Sequence, residues 1–418
     1  MVLESLDSPR AYSSAITPAS SPLFHFLTVT FLPQLIRPAT DSRVIDDLSR
    51  ETLTLAFSSP FCMHALLACC GAEIPTQRSD FRQLGQFHYT HAVAGLRERL
   101  DKGLSGNQWV VSLLTIMMLC IYERSNPLRS SGVEIHLVGA ARIIQLYSCL
   151  PHTDFEHSEI EQAMHRLLRE SFIFHVATSL PFRGEQSHRN EIEMAFSLAE
   201  QALGQHFRPR LIVFPDSPVL GFPPQLFRCI YTIYRVYQDS SHEIPDGETC
   251  RKLDRDLHRW YDQIEASLGK SSYEENASGR DTVNVQAICQ DQTAPNYLQA
   301  AVIGPKLYIL GCRILLRRIP GFEAPGTASV LDSMICEGVD IVQRLQPDED
   351  YFADYYCWPL LLIGIHSSDP HHRDVLLSQV LAFWRSTNNG TMRRLANMLD
   401  LHWKSYRDPR AIWAGPVP

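Results

Sequence analysis

Few side chains in this sequence are spaced as metal ligands usually are. A structural zinc site needs cysteines or histidines a few residues apart, and the eleven cysteines include no Cys-x-x-Cys pair. Cys69 and Cys70 are adjacent, so on a helix their side chains diverge by about 100°. Two histidine pairs stand in polar segments without a Glu-x-x-His pattern: His152 with His157, and His371 with His372. We predict that Cys69 and Cys70 pack in the core, that these histidines face solvent, and that no residue binds a metal.

Groups that could catalyse a reaction are no better arranged. The chain has no Gly-x-Ser-x-Gly motif, no phosphate-binding P-loop and no Gly-x-Gly-x-x-Gly. The string HHRD at 371–374 is similar to acyltransferase motifs, but its spacing is wrong, and Asp374 suits the first turn of a helix. Asp46 and Asp47 suggest the acidic motif of an all-α terpene cyclase, but the further carboxylate at the needed spacing is missing. We therefore predict no catalytic or cofactor-binding residue, no cofactor and no enzyme.

Three further sets of residues stand on helical patterns, and each has a structural explanation that we favour. A row of tyrosines could stack nucleotides, but aromatic spacing of this kind is more typical of core packing. Basic residues at the end of one helix are expected to lay their aliphatic stems along the surface. Histidines inside apolar helices are expected in the core or in grooves. The three sets are Tyr231, Tyr234 and Tyr237; Arg313, Arg317 and Arg318; and His64, His91, His136 and His175.

The elements that must position these side chains are helices. Hydrophobic residues make up 45% of the 418 residues and charged residues 20%, as in soluble globular proteins. Apolar residues recur at helical spacing from Leu23 onward, whereas alternation typical of strands is nearly absent. In the predicted helix at 133–150, Ile135 and Leu146 share one broad apolar face with Val138 and Ile143. We predict an all-α fold, a large multi-helix bundle or α-solenoid-like domain.

Polar segments set the predicted boundaries. Residues 1–22 are rich in Ser, Pro and Ala and are expected to form a disordered tail. The helical domain is predicted to span 23–404, with a loop or subdomain break near 269–292, and 405–418 form a C-terminal tail.

Charge and apolar content exclude two classes of partner. The formal net charge is −8, so the chain has no basic surplus with which to grip nucleic acid on its own. The least polar window, residues 109–122, is shorter than the ~18 residues that a membrane span needs. The cysteines lie mostly in apolar contexts, which is typical of a reducing compartment. We predict an intracellular protein with no membrane contact.

Six blocks, in order, resemble the fungal-specific transcription factor domain, the helical region that usually follows a zinc-cluster DNA-binding domain. They cover most of residues 23–400. The blocks are FLTVTFLPQL (26–35), LTLAFSSPFCMHALLACCGAEI (53–74), FHYTHAVAGLRERL (87–100), LLTIMMLCIYERSN (113–126), HLVGAARII (136–144) and YCWPLLLIGIHSSDPHHRDVLLSQV (356–380).

The resemblance implies a nuclear regulator of transcription, with secondary-metabolite biosynthesis genes as the expected target. Members of the family typically carry six zinc-binding cysteines near the N-terminus, but the first cysteine here is Cys62, inside the helical blocks. We therefore expect the chain to lack its own zinc cluster and to reach DNA only indirectly, through other transcription regulators or the transcription machinery. The alternative that the sequence starts downstream of the true start stays open.

Two other classes of function also stay open, an all-α biosynthetic enzyme with an unrecognised site and a non-catalytic scaffold. The sequence leaves open a small-molecule effector and a dimer as well.

Overall fold

The helices of the protein are seen in a computed structural model. It describes residues 13–36, 40, 42–74, 79–104, 108–125, 132–148, 158–179, 188–204, 207, 214, 217–239, 247–270, 294–319, 322, 327–347 and 354–405. All regular elements in those ranges are helices, and the ranges contain no strand, which confirms the predicted all-α class. None of the helices described is long and apolar enough to cross a membrane.

The bounds of the helices, in chain order, are α1 Ser21–Phe26, a π-helical turn Leu27–Phe31, α2 Leu32–Gln34, α3 Ser42–Ser58, α4 Pro60–Glu73, α5 Ser79–Asp101, α6 Gln108–Ser125, α7 Gly132–Ser148, α8 Glu159–Ser179, α9 Arg189–Leu203, α10 Pro224–Asp239, α11 Gly247–Lys270, α12 Ala294–Leu316, α13 Thr327–Gln343, α14 Cys357–His366, α15 Pro370–Thr387 and α16 Gly390–Ser405.

The predicted domain boundaries fall largely beyond these ranges. Of the expected N-terminal tail, residues 1–12 are outside the described residues, and 13–20 form hydrogen-bonded turns before α1. Residues 271–293, within the expected break, and 406–418, in the expected C-terminal tail, are also outside them.

The helix pair α4 and α5 packs at unusually short range. A Cβ atom on Gly71 would lie 2.6 Å from the Gly85 Cα atom, so the two backbones touch where neither residue has a side chain. Cys69 and Cys70 on α4 are fully buried, which confirms the prediction of core packing. The Cys69 thiol donates to the Met118 carbonyl of α6 at 3.0 Å. Burial raises the pKa of both thiols well above the ordinary value, so they stay protonated.

Helix α6 runs through the centre of the molecule. It is buried on nearly every side from Trp109 to Ser125, as its continuous apolar run predicts. It contacts α4, α5, α7, α8 and α16. Its last residues, Glu123, Arg124 and Ser125, remain buried although they are polar. The helix therefore carries polar groups into the interior, where they need partners.

Helix α7 is covered on all but a narrow side. Val138 and Ile143 are buried, as their apolar face predicts, but Ile135 and Leu146 are 71% and 63% exposed. The expected shared face is therefore wrong at these two positions. They stand 11 residues apart, three helical turns, and point to the same side. Helices α6 and α9 pack against the rest of the α7 surface and leave that side uncovered.

The C-terminal half has an aromatic core. Tyr231, Tyr234 and Tyr237 are buried, so the packing interpretation of this row is confirmed. Tyr308 of α12 stacks on Trp358 of α14 with ring centres 5.6 Å apart. These contacts hold the start of α14 against the body of the protein.

Two of the three basic residues at the end of α12 differ from expectation, whereas Arg318 is exposed as predicted. Arg313 and Arg317 were expected to extend their charged ends into solvent, but their side chains are only 11% and 8% exposed. Both lie against Asp254 of α11, at 3.8 Å and 3.4 Å. The carboxylate offsets part of the cost of burying the two guanidinium groups.

The close approach of α4 and α5 predicts opposite effects for two glycine substitutions. Gly71→Ala should lower the free energy of unfolding by about 1–3 kcal/mol, because the added methyl group meets the α5 backbone. Gly139→Ala on α7 meets only Ile116 at 3.6 Å, and should raise stability by up to ~1 kcal/mol through helix propensity. Urea unfolding of both variants measures the difference. Equal effects would show that the helices have room to move apart.

Candidate functional site

The residues singled out in the sequence stay apart in the structure. Asp46 and Asp47 are exposed on α3, and Asp47 pairs with Arg50 of the same helix at 2.9 Å. The HHRD string does open a helix, as predicted, because Asp369 caps α15 by accepting from the His371 backbone N–H at 2.8 Å. His152 and His157 lie outside the described residues. Within the described ranges, no group of three or more His, Cys, Asp or Glu residues could hold a metal ion.

The histidines His64 and His88 join α4 to α5 rather than standing alone. Their Nδ1 atoms are 2.7 Å apart, and the His91 ring lies 5.1 Å from the His64 ring. Burial, and then charge repulsion within the group, lowers the pKa of His64 and His88 to about 4. Both rings are therefore neutral at physiological pH, where one can donate to the other. This matches the expected role as hydrogen-bonded core or groove histidines.

A set of buried polar contacts lies where the N-terminal helices meet the C-terminal ones. We call it the polar junction: Glu73, Arg124, Ser125, Asp354 and Asn389, all of them buried. Glu73 ends α4, and Arg124 and Ser125 end α6. Asp354 lies in the turn before α14, and Asn389 lies between α15 and α16. Four segments far apart in the sequence therefore meet at one place.

Arg124 is the cationic centre of the polar junction. It forms an ion pair with Asp354, and the two side chains are 5% and 7% exposed. Burial is the largest single effect and lowers the pKa of Arg124, but Asp354 together with Cys120, Cys357 and Tyr308 raises it by more, so the net shift is upward. The guanidinium also donates to the Thr178 hydroxyl of α8 at 3.0 Å and to Ser179. The Arg124 charge is therefore both paired and hydrogen-bonded, as a buried charge must be.

The turn that carries Asp354 is itself fixed by aromatic side chains. The Tyr308 hydroxyl donates to the Tyr355 carbonyl at 2.6 Å, and the Tyr355 hydroxyl donates to the Leu220 carbonyl at 3.1 Å. The Tyr355 ring stacks on Phe174 of α8, with ring centres 5.7 Å apart. These contacts hold the carboxylate in place beside Arg124.

Glu73 is the third ionisable group of the polar junction, beside Arg124 and Asp354. The Ser125 hydroxyl and the Asn389 side-chain amide both donate to its Oε1 atom, the latter at 3.1 Å. Burial raises the pKa of this carboxyl from 4.5 to about 7, against the lowering effect of the Ser125 hydrogen bond, and Asp354 raises it further. Glu73 therefore changes its charge close to physiological pH.

The turn between α15 and α16 fits onto the ends of α4 and α6. Asn388 adopts a left-handed conformation with φ of 54°, and its amide donates to the Glu73 and Ile74 carbonyls at 2.7 Å and 3.0 Å. A Cβ atom on Gly390 would lie 2.0 Å from the Ser125 carbonyl oxygen. Only glycine fits there, so the two halves meet backbone to backbone.

Two empty spaces flank the polar junction, and Ser125 borders both. The first is an apolar cavity of about 50 Å³ between α2, α3, α6 and α8, lined by side chains such as Leu32, Met117 and Leu168. It has room for one or two water molecules and falls far below the ~300–1,000 Å³ of a drug-sized ligand site. The second is a surface cleft of about 250 Å³ between the end of α4, helix α5, the end of α6 and the α15–α16 turn.

Sequence reasoning missed the polar junction. Its members are scattered single residues, and Glu73 and Asn389 stand 316 positions apart. One signal was present: the polar residues Glu123, Arg124 and Ser125 directly follow the most apolar run of the chain. Chemically the arrangement holds a buried ion pair and a carboxyl with a raised pKa, and it joins helices from both halves of the domain.

The Arg124–Asp354 pair predicts a large loss of stability on truncation. Arg124→Met should lower the free energy of unfolding by about 3–5 kcal/mol, because Asp354 is left as a buried charge without its cation. Arg142→Met is the matched control, since Arg142 pairs with Glu191 at the surface and should cost at most ~1 kcal/mol. Denaturant unfolding of both variants gives the comparison. If Arg124→Met lowers the free energy of unfolding no more than the control does, the buried ion pair adds nothing to stability.

The raised pKa of Glu73 predicts a stability that falls with pH. Between pH 5 and pH 8 the folded carboxyl loses a proton that the unfolded one has largely lost by pH 5, so the folded state binds more protons across this window. The free energy of unfolding should therefore fall by about 3 kcal/mol over that range. In Glu73→Gln this contribution disappears.

Urea unfolding of the natural protein and Glu73→Gln at pH 5, 6, 7 and 8 tests this. Buried histidines such as His64 and His88, whose pKa values are lowered to about 4, make stability rise with pH below about 6.5. They act in both proteins, so the difference between the two curves isolates Glu73. A difference that does not vary with pH would show that the carboxyl is already ionised at pH 5.

Comparison with known proteins agrees with the resemblance seen in the six sequence blocks. Searches of curated proteins and of solved structures gave no match. A family model described as the fungal specific transcription factor domain matches residues 23–414, a range that contains every residue of the polar junction. This range is nearly the whole of the 418 residues. The chain therefore belongs to the fungal-specific transcription factor domain family.

Proposed function

We propose that this protein regulates transcription in the nucleus, and that its helical domain works by contacting other transcription regulators or the transcription machinery. The observation that carries the proposal is the family match over residues 23–414. Because the family is one of transcription factors, we propose no catalytic role for the chain.

We propose further that DNA is reached through a partner and that the target genes serve secondary-metabolite biosynthesis. Two sequence facts support the first part: the net charge of −8 and the lack of any Cys-x-x-Cys pair among the eleven cysteines of these 418 residues. A chain that binds the phosphate backbone by itself usually presents a basic face. The second part rests on the family resemblance of the six blocks alone.

The uncovered side of α7 is the surface that we propose for protein contact. Ile135 and Leu146 are exposed there, and Met194 on the neighbouring helix α9 is 58% exposed. Arg142 of α7 pairs with Glu191 of α9 at 3.0 Å, so the two helices present one continuous surface. Large apolar side chains that lie together on a surface are typical of interaction sites.

A reporter assay tests the proposed function. The full chain, fused to an unrelated DNA-binding domain, should change expression of a reporter gene that carries the matching DNA site. Replacing Ile135 and Leu146 by lysine should reduce that change at least about fivefold while leaving the unfolding temperature intact, because both side chains are exposed. Leu401→Lys is the matched control, since Leu401 is 66% exposed on α16, and it should keep the activity.

Two outcomes would contradict the proposal. A fusion that is folded and nuclear but leaves reporter expression unchanged would contradict the proposed regulatory role. Tight, specific binding of a DNA fragment by the unfused chain at physiological salt would show that DNA is not reached through a partner.

A further inference from the structure

The surface cleft beside the polar junction is the larger of the two spaces. At about 250 Å³ it lies just under the range of drug-sized ligand sites, so it suits a small molecule. Its walls come from four separate parts of the chain: Ala72 near the end of α4, helix α5, the end of α6, and the α15–α16 turn with the residues around it. A ligand in it would touch both halves of the domain at once.

The charge of the cleft is of one sign. Arg82 of α5 and Arg393 of α16 line it, and the described lining residues include no aspartate or glutamate. Both guanidinium groups are exposed. Within the described part of the chain, neither forms an ion pair. Unlike Arg124, Arg142 and Arg228, which have carboxylate partners, these two arginines leave positive charge available at the cleft.

The remaining walls are aromatic and amide. Tyr122 and Trp384 line the cleft, and the Arg393 guanidinium lies over the Trp384 ring, 5.2 Å from its centre. The Tyr122 hydroxyl donates to Gln86 Oε1 at 3.1 Å, which orients the Gln86 amide so that its NH₂ group remains a donor. Guanidinium groups and amide N–H donors can bind a carboxylate, and aromatic rings can pack against a flat apolar group, so together they suit a flat ligand with a carboxylate.

We propose that this cleft binds a small aromatic carboxylic acid, whose carboxylate lies between Arg82 and Arg393 and whose ring lies against Tyr122 and Trp384. Bidentate contact with a guanidinium gives the carboxylate both energy and orientation. The aromatic walls provide apolar burial for the ring.

The position of the cleft gives such a ligand a route to the rest of the domain. Ser125 lines the cleft and donates to Glu73 in the polar junction. Asn388 lines it as well and holds the Glu73 and Ile74 carbonyls. A ligand that bridges Arg82 and Arg393 therefore stabilises the arrangement in which the α15–α16 turn is seated on α4 and α6, and disfavours any other arrangement.

Calorimetric titration of the full chain tests the binding. The probes are benzoate, cinnamate and 2-naphthoate, each paired with its neutral amide of the same shape, at physiological salt and pH 7. At least one acid should bind, about tenfold or more tightly than its amide, because only the acid can pair with the arginines. The same acid should raise the unfolding temperature, since it binds the folded state.

Substitutions at the cleft give the second arm. Arg82→Gln and Arg393→Gln should each weaken binding of that acid about tenfold or more. Arg97→Gln is the matched control, because Arg97 is an exposed arginine of the same helix α5 that does not line the cleft, and it should leave binding unchanged. All three positions are exposed, so the variants should fold, and the unfolding temperature without ligand checks this.

Three results would overturn the proposal: no binding of any acid at millimolar concentration, equal binding of an acid and its amide, or unchanged binding by both cleft variants. The binding does not depend on the function proposed above, but its use as an effector signal does. If the reporter fusion has no effect but an acid binds in calorimetry, the proposed function is contradicted and the binding site is supported. If the fusion is active but no acid binds, the binding site is contradicted and the proposed function is supported.

Discussion

The buried ion pair between Arg124 and Asp354 is the constraint around which the domain is arranged. A cation in this position has a high desolvation cost, which is offset only if its partners stand in the correct places. Those partners come from α8, through Thr178 and Ser179, and from the turn before α14. The ion pair therefore fixes how α6, α8 and α14 are placed relative to one another, whereas apolar contact alone would let these helices slide.

The helices could be predicted from the sequence, because each carries its own local signal. Continuous apolar character predicted that α6 is central, and Asp374 in the HHRD string indicated the start of α15. Side-chain burial on α7 was predictable only in part. The apolar pattern does not distinguish Val138, which faces a neighbouring helix, from Ile135, which faces outward. That distinction depends on which helices pack alongside.

The polar junction and the cleft could not be predicted, for a different reason. They are built by single residues from segments hundreds of positions apart, and no spacing rule connects Glu73 with Asn389 or Arg82 with Arg393. The six family blocks do contain Glu73 and Arg124, and the only local signal is that Arg124 directly follows an apolar run, which does not show where its partners lie. The polar junction also has no reactive pair to search for, since its chemistry is charge pairing and not bond breaking.

The seating of the Asn388–Gly390 turn against Glu73 and Ser125 has a consequence for how the chain is made. The contact joins residues 316 positions apart, and at 5–20 residues per second a ribosome needs about 15–60 s to deliver the second after the first. Throughout that time the ends of α4 and α6 are without the backbone that later covers them. The nascent N-terminal half therefore exposes these helix ends until residues 388–390 are made, and transiently exposed surface of this kind favours aggregation.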